Sequence, residues 1–242
     1  MLDDTLLVIP SRLSSTRLHN KPLASIHGYP MIYWVANRIK RAKICNYIVA
    51  TDAVEIQDVC RRNNLNVILT DHDCRTGTDR VAEVAEKMDY KYYCNVQGDE
   101  PLINTDGVRQ FIEQGRVFKN TFVQAVTQVQ GNKTNYSEVK VAIDSSDNIR
   151  FLSRLDIPFD RNSNKIKKYK CLGLYLYDKD FILKYSKLKE GNLEKAECIE
   201  QLRCIENNLN INSVKVDFDY MSIDTPEVLF QARSLDIGEY YL

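Results

Sequence analysis

Leu6-Leu7-Val8-Ile9-Pro10-Ser11-Arg12-Leu13-Ser14-Ser15-Thr16-Arg17-Leu18-His19-Asn20-Lys21-Pro22-Leu23 is the stretch on which the fold is read. An apolar run meets Pro10 and gives way to small hydroxyl residues interspersed with Arg12, Arg17 and Lys21. That pattern predicts a buried strand opening into a cationic, hydrogen-bonding loop. The loop has neither the G-x-G-x-x-G turn of dinucleotide folds nor the G-K-[ST] ending of a P-loop, so side chains must supply the positive charge. Guanidinium groups grip phosphate oxygens in pairs, lysine adds a mobile point charge, and backbone N–H groups beside Ser14, Ser15 and Thr16 add donors. A triphosphate fits this inventory. Three scattered cations on a solvated loop are the plainer reading. The position at the carboxyl end of the first strand favours a ligand, because open α/β sheets bind there.

Outward from this loop, Met31 to Ile39 has helical spacing after Pro30, Tyr47 to Thr51 reads as a strand, and Val54 to Arg62 as a second helix. Asn66 to Thr70 is a third strand, and Thr76-Gly77-Thr78 opens a helix through Glu86, whose free N–H groups suit an anion or a base edge. Tyr92 to Gln97 is a fourth strand, followed at once by Gly98-Asp99-Glu100-Pro101. This alternation predicts a parallel sheet covered by helices. In the second half, strands at Phe122 to Val129, Val139 to Asp144, Ile149 to Ser153 and Tyr169 to Tyr177 follow with little helix between them, and Ser145-Ser146-Asp147-Asn148 reads as a hairpin turn. These are antiparallel additions. Helices at Lys179 to Ser186 and Leu193 to Glu206, a strand near Ile211 to Val216 and a helix from Thr225 complete the chain. The expected fold is one Rossmann-like, three-layer α/β domain over residues 1–242, with a mostly parallel mixed sheet.

The 242 residues include 33 basic and 33 acidic side chains, a balance that gives no global field toward nucleic acid or membrane. Seven scattered cysteines without a C-x-x-C pair suggest neither zinc nor a disulfide framework. Asp3 and Asp4 stand where a signal peptide carries positive charge, and the first apolar run is too short for a span, so a cytoplasmic protein without membrane insertion is expected. His19, His27 and His72 lie in polar loop sequence and read as solvated.

Asp99 follows a strand in a tight turn where Gly98 permits unusual dihedrals and Pro101 stiffens the exit. It reads equally as a magnesium ligand beside phosphate-gripping cations and as a turn residue bonding its own backbone. Asp224, in Ile223-Asp224-Thr225-Pro226, has the form of a helix N-cap. Spacing alone does not pair residues so far apart.

Val8-Ile9-Pro10-Ser11-Arg12, Ser15-Thr16-Arg17-Leu18 and Lys21-Pro22-Leu23 resemble the cytidylyltransferases that activate 3-deoxy-manno-octulosonate (Kdo), the CMP-Kdo synthetases. The resemblance continues at Thr76-Gly77-Thr78-Asp79-Arg80, Asn95-Val96-Gln97-Gly98-Asp99-Glu100-Pro101, Val139-Lys140-Val141, Ser153-Arg154, Ile157-Pro158-Phe159-Asp160-Arg161, Glu200-Gln201-Leu202-Arg203 and Ile223-Asp224-Thr225-Pro226. It spans nearly the whole chain, in order. It implies a nucleotidyltransferase that couples CTP to the anomeric hydroxyl of Kdo, releasing pyrophosphate and supplying lipopolysaccharide synthesis in a Gram-negative bacterium. It also implies Mg²⁺ as cofactor on Asp99 and Asp224, with Arg12, Arg17, Lys21 and Asp99 carrying the transfer. The nucleotide would lie against Pro10, Ser11, Arg12, Arg17, Lys21, Arg75, Thr76, Gly77 and Asp99. The acceptor sugar would meet Gln97, Arg154, Arg161, Cys171, Tyr175, Glu200 and Gln201, and residues of about 130–190 would carry sugar binding and a homodimer contact.

Two positions depart from the family pattern. Arg75 stands where a glutamine is usual and loses an acceptor for the cytosine amino group, and Cys171 replaces a histidine of the expected sugar pocket. Another acidic 2-keto sugar of the nonulosonate type, or a nucleotide-binding protein with impaired catalysis, is the alternative. An NAD-dependent oxidoreductase is disfavoured because the first strand-to-helix turn lacks its glycines.

Overall fold

The structure, a computed structural model, describes residues 1–13, 18–130, 135–162 and 166–235. The chain divides into two compact units, Met1–Arg109 with the chain from Tyr220 onward, and Gln110–Asp219.

In the first unit the elements run β1 (Thr5–Ser11), β2 (Ser25–Ile26), β3 (Tyr29–Pro30), α1 (Met31–Ala42), β4 (Asn46–Thr51), α2 (Val54–Arg62), β5 (Val67–Leu69), α3 (Gly77–Lys87), β6 (Tyr92–Val96) and α4 (Thr105–Gly115), the last running across the division. A short 3₁₀ turn at Lys21–Leu23 carries Pro22 at its start. Strand β1 is buried along its whole length and pairs in parallel with β4 on one side and β6 on the other. Strand β5 extends the sheet beyond β4, also in parallel. Helices with one apolar stripe cover this sheet: α1 buries Met31, Ile32, Val35, Ala36 and Ile39, and α3 buries Val81, Ala82, Val84 and Ala85.

Helix α4 was not expected from the sequence. Its buried Val108, Phe111 and Ile112 have helical spacing and Asn104 caps it, accepting from Gly107 N–H at 3.0 Å, but Gly107 and Gly115 lower the local helix propensity.

The second unit holds β7 (Phe122–Gln128), β8 (Lys140–Ile143), β9 (Ile149–Ser153), β10 (Tyr169–Asp178), α5 (Lys179–Tyr185), α6 (Asn192–Glu197), α7 (Leu202–Glu206) and β11 (Ile211–Lys215). β10 pairs antiparallel with β7 and β8, and β8 with β9, as expected, whereas β11 pairs with β7 in parallel. The predicted turn joins β8 to β9, with Asp147 at φ 61°. Asp144 organises it: its Oδ1 accepts from Ser146 N–H at 2.8 Å and Asn148 N–H at 2.9 Å, and Arg150 Nε donates to its Oδ2 at 2.8 Å. Donation from Asn148, then from Ser146 and Arg150, holds the Asp144 carboxyl down at about 2.

The single helix expected over Leu193–Glu206 is two short helices broken at Cys198, which adopts φ 53°. Arg203 and Glu194 explain the break. On a continuous helix they would face opposite sides roughly 13 Å apart along the axis. Folded back, Arg203 Nε donates to Glu194 Oε2 at 2.7 Å and Nη2 to Oε1 at 2.5 Å, with both residues buried.

The chain returns to the first unit for α8 (Pro226–Ser234). Ile223, Leu229 and Ala232 join Ile26, Met31 and Trp34 in one core cluster, which fixes where the preceding residues run. The protein is thus mixed α/β, with strands paired mostly in parallel and antiparallel strands added in the second half.

Candidate active site

β1 delivers Pro10 and Ser11 to the carboxyl edge of the parallel strands, where two glycines close in on them. A Cβ on Gly77 would lie 3.3 Å from Pro10 Cγ, and one on Gly98 would lie 3.2 Å from the Pro10 carbonyl oxygen. Glycine at 98 thus lets the two backbones approach more closely than a side chain would leave comfortable. The unusual dihedral expected there is absent, since the described glycine with positive φ is Gly28. Thr76 caps α3, its hydroxyl accepting from Asp79 N–H at 3.1 Å, so the predicted helix N-terminus sits beside Pro10.

Around this point lies a cleft of about 1070 Å³. Pro10, Ser11, Arg12 and Lys21 line it from the first loop, Thr76 and Gly77 from the start of α3, and Gln97 and Asp99 from the turn after β6. Arg12 is solvent-exposed at its wall. Arg17, with Ser14, Ser15 and Thr16, falls outside the described residues.

Asp99 and Asp224 come together. Lys21 Nζ bonds Asp99 Oδ2 in a short contact and donates to Asp224 Oδ1 at 2.8 Å. Burial alone would lower the Lys21 pKa, but the two carboxylates, Asp99 foremost, outweigh it and leave the ammonium above its ordinary value. Ile223 N–H donates to the Asp99 carbonyl oxygen at 2.9 Å, and with the Ile223 side chain in the core, Asp224 is held beside the β6 turn. The N-cap of α8 is Thr225, whose hydroxyl accepts from Val228 N–H at 3.4 Å, so Asp224 does not serve as the cap. Asp99 Oδ1 is buried with no hydrogen-bond partner among the described residues. A half-buried carboxylate with one oxygen unspent, next to a second carboxylate, is a donor set that suits a hard divalent cation.

Arg75 does not line the cleft: its Nε donates to Asp79 Oδ2 at 2.9 Å and its Nη2 to Oδ1 at 3.1 Å. The sequence did not single out Asp52 and Arg80 as site residues, yet both line the cleft. Arg80 is 2% exposed and donates to Asp52 Oδ2 at 3.1 Å and to the Thr70 hydroxyl. Its only sequence signal was membership of the Thr76 to Arg80 motif, and Asp52 simply follows the strand expected to end at Thr51. His72 is exposed, as expected, with its ring nitrogens 3.2 and 3.0 Å from Asp71 and Asp73.

Of the residues expected to meet a sugar, Gln97 lines the cleft and the others lie in the second unit. Arg154 spends its guanidinium on backbone, donating to the carbonyls of Glu197 at 2.9 Å and of Tyr136 and Cys198 at 3.2 Å. Gln201 is buried and donates to Gln124 Oε1 at 2.8 Å. Cys171 and Tyr175 stand on β10, burial driving the Cys171 thiol pKa far up and the Tyr175 ring lying 5.2 Å from that of Phe122. Glu200 lies in the turn between α6 and α7, and Arg161 is exposed.

Loops that bring cations and paired carboxylates to the carboxyl edge of parallel strands are what nucleotidyl transfer requires, and comparison with known proteins agrees on that class of enzyme. The sequence profile of the cytidylyltransferases matches residues 6–213. A 3-deoxy-manno-octulosonate cytidylyltransferase of Fusobacterium nucleatum is 38% identical over 228 residues, covering 93% of each chain. One of Escherichia coli is 34% identical over 239 residues, covering 97% of this chain and 96% of its own. The solved structure of a CMP:2-keto-3-deoxy-manno-octonic acid synthetase complexed with CTP superposes with a TM-score of 0.90 at 33% identity, covering 97% of this chain and 99% of the other. A putative glucose-1-phosphate thymidylyltransferase of Bacillus anthracis, 15% identical with a TM-score of 0.66, shares the fold alone. The chain belongs to the cytidylyltransferase family, among the 3-deoxy-manno-octulosonate cytidylyltransferases.

Proposed function

We propose that the protein is a Mg²⁺-dependent cytidylyltransferase that joins CTP to Kdo or a close acidic 2-keto sugar. The observation that carries this reading is the convergence of Asp99 and Asp224 on Lys21, with Lys21 and Asp99 lining the cleft. The anomeric oxygen of the sugar bonds to the α-phosphorus of CTP, the bond from that phosphorus to the bridging oxygen of pyrophosphate breaks, and the hydroxyl proton passes to solvent.

Arg12, Arg17 and Lys21 neutralise the triphosphate and align it, and Ser11 with the N-terminus of α3 at Thr76 and Gly77 adds hydrogen-bond donors. Asp99 and Asp224 would hold a magnesium ion, which would supply neutralisation of phosphate charge and Lewis-acid activation of the attacking hydroxyl. With Arg75 tied to Asp79, reading of the cytosine rests on the backbone and side chains around Pro10 and α3. Gln97, Arg161, Cys171, Tyr175 and Glu200 meet the sugar, while Arg154 and Gln201, engaged with neighbouring groups, keep the frame around it. Among the described residues no helix is long and apolar enough to cross a membrane, in keeping with a cytoplasmic supplier of lipopolysaccharide synthesis.

Mixing the protein with CTP, Mg²⁺ and Kdo is expected to release pyrophosphate. UTP, or omission of the sugar, is expected to give none. Turnover with a nonulosonate and not with Kdo would move the assignment to the alternative acceptor, and CTP binding without turnover on any sugar would leave a nucleotide-binding protein.

A homodimer forms part of this reading. Tyr136, Leu155, Phe159 and Ile166 of the second unit are large apolar side chains left exposed, Phe159 at 84%. They form two pairs whose members lie near one another in the fold: the Arg154 guanidinium, next to Leu155, bonds the Tyr136 carbonyl at 3.2 Å, and Ile166 N–H donates at 3.4 Å to Oδ2 of Asp160, next to Phe159. Four large apolar side chains this exposed suit cover by a second copy of the chain. Phe159→Glu is expected to shift the sedimenting species from dimer to monomer, and a wild-type protein that sediments as a monomer at micromolar concentration sinks the idea.

A further inference from the structure

We infer that Lys21 is an exchangeable counter-ion of the carboxylate pair, so that a divalent cation takes Asp99 and Asp224 only as a triphosphate takes Lys21. The inference rests on the metal role proposed for the two aspartates and adds an order to it. The Lys21 ammonium bonds both carboxylates at once, through Asp99 Oδ2 and Asp224 Oδ1. Its charge offsets half of theirs in a partly buried site, where Coulomb interactions are several times stronger than in water. A cation that approaches these carboxylates therefore meets a resident positive charge. Asp99 Oδ1, buried and without a partner among the described residues, leaves a foothold but not a full donor set.

Lys21 also lines the cleft together with Arg12 and Ser11, so phosphate oxygens bound there offer the ammonium a replacement anion. As Lys21 turns to phosphate, the charge of both carboxylates is no longer offset and their bonded oxygens regain acceptor capacity. Each ligand thus prepares the site for the other, and by linkage the effect is reciprocal. A lysine suits this exchange because its ammonium is a compact point charge on a flexible stem, whereas a guanidinium fork is bound to a fixed geometry.

The test is Mn²⁺ binding to the whole protein without nucleotide, followed by electron paramagnetic resonance of the free ion. Lys21→Met is expected to bind Mn²⁺ at least tenfold more tightly than wild type, and Asp224→Asn more weakly than either. Equal or weaker binding by a Lys21→Met variant that keeps its circular dichroism overturns the inference. Failure of wild type and of both variants to bind Mn²⁺ overturns instead the metal role on which it rests. A measurement on the unaltered protein stands if the variant does not fold. In ¹⁵N-lysine-labelled protein, the Lys21 Nζ resonance is expected to move when CTP and Mg²⁺ are added together and to stay in place with Mg²⁺ alone at the same concentration. A resonance that moves fully with Mg²⁺ alone, or that ignores both, overturns the exchange.

Discussion

Asp99→Asn and Asp224→Asn are each expected to cut the rate of pyrophosphate release at saturating CTP and Mg²⁺ by about 10²- to 10³-fold or more, the scale seen when one preorganised electrostatic group is lost from a transfer site. Asparagine keeps the shape of the side chain and one acceptor oxygen but removes the charge, so the loss should fall on rate and on the Mg²⁺ concentration needed. The larger effect belongs to Asp99, which is the more buried of the two and whose Oδ1 has no other use among the described residues. Both variants should melt close to wild type, because Lys21 retains one carboxylate in each. Activity within threefold of wild type in either variant would remove that aspartate from the chemistry.

The largest effect on stability is expected far from the nucleotide. Arg203 is fully buried and Glu194 nearly so, their two side chains joined at 2.7 and 2.5 Å, with the Tyr185 ring 4.9 Å below the guanidinium. Removing one partner strands a charge in the core, so Glu194→Ala or Arg203→Ala should lower the unfolding free energy by about 3–5 kcal/mol. Replacing both with apolar residues of similar volume should cost much less than the two single losses added together. Urea denaturation of the three variants reads this directly, and additive losses would mean that the pair does not act as one unit. The pair also fixes the turn between α6 and α7 that carries Glu200 and Gln201, so the single variants should weaken acceptor use even below their unfolding midpoint.

Much of the first unit was legible because its signals are local. An apolar run ending at Pro10, a threonine before a helix at Thr76 and alternating strand and helix patterns each state their structure within a few residues. The Asp144 turn was legible for the same reason. What escaped depends on distant partners. The spacing of Asp99 and Asp224 said nothing about their meeting; family resemblance suggested it, and the geometry rests on Ile223 entering a core shared with Trp34. Nor did the sequence show that Lys21 answers to carboxylates, that Arg75 turns to Asp79, or that Arg80 is buried against Asp52. The helix break at Cys198 was hidden because residues 193–206 are good helix formers, and the fold-back is held by partners distant in sequence, the Glu194–Arg203 pair and the Arg154 bonds to the Glu197 and Cys198 carbonyls among them.

The two glycines that flank Pro10 are not equivalent. Gly77 is confined by the proline ring, so a smaller residue at position 10 would make room for a side chain at 77. Gly98 is confined by a carbonyl oxygen, which every amino acid at position 10 would present in the same place. Sequence drift can therefore loosen the first constraint by a compensating exchange, while the second yields only if the strand itself is displaced.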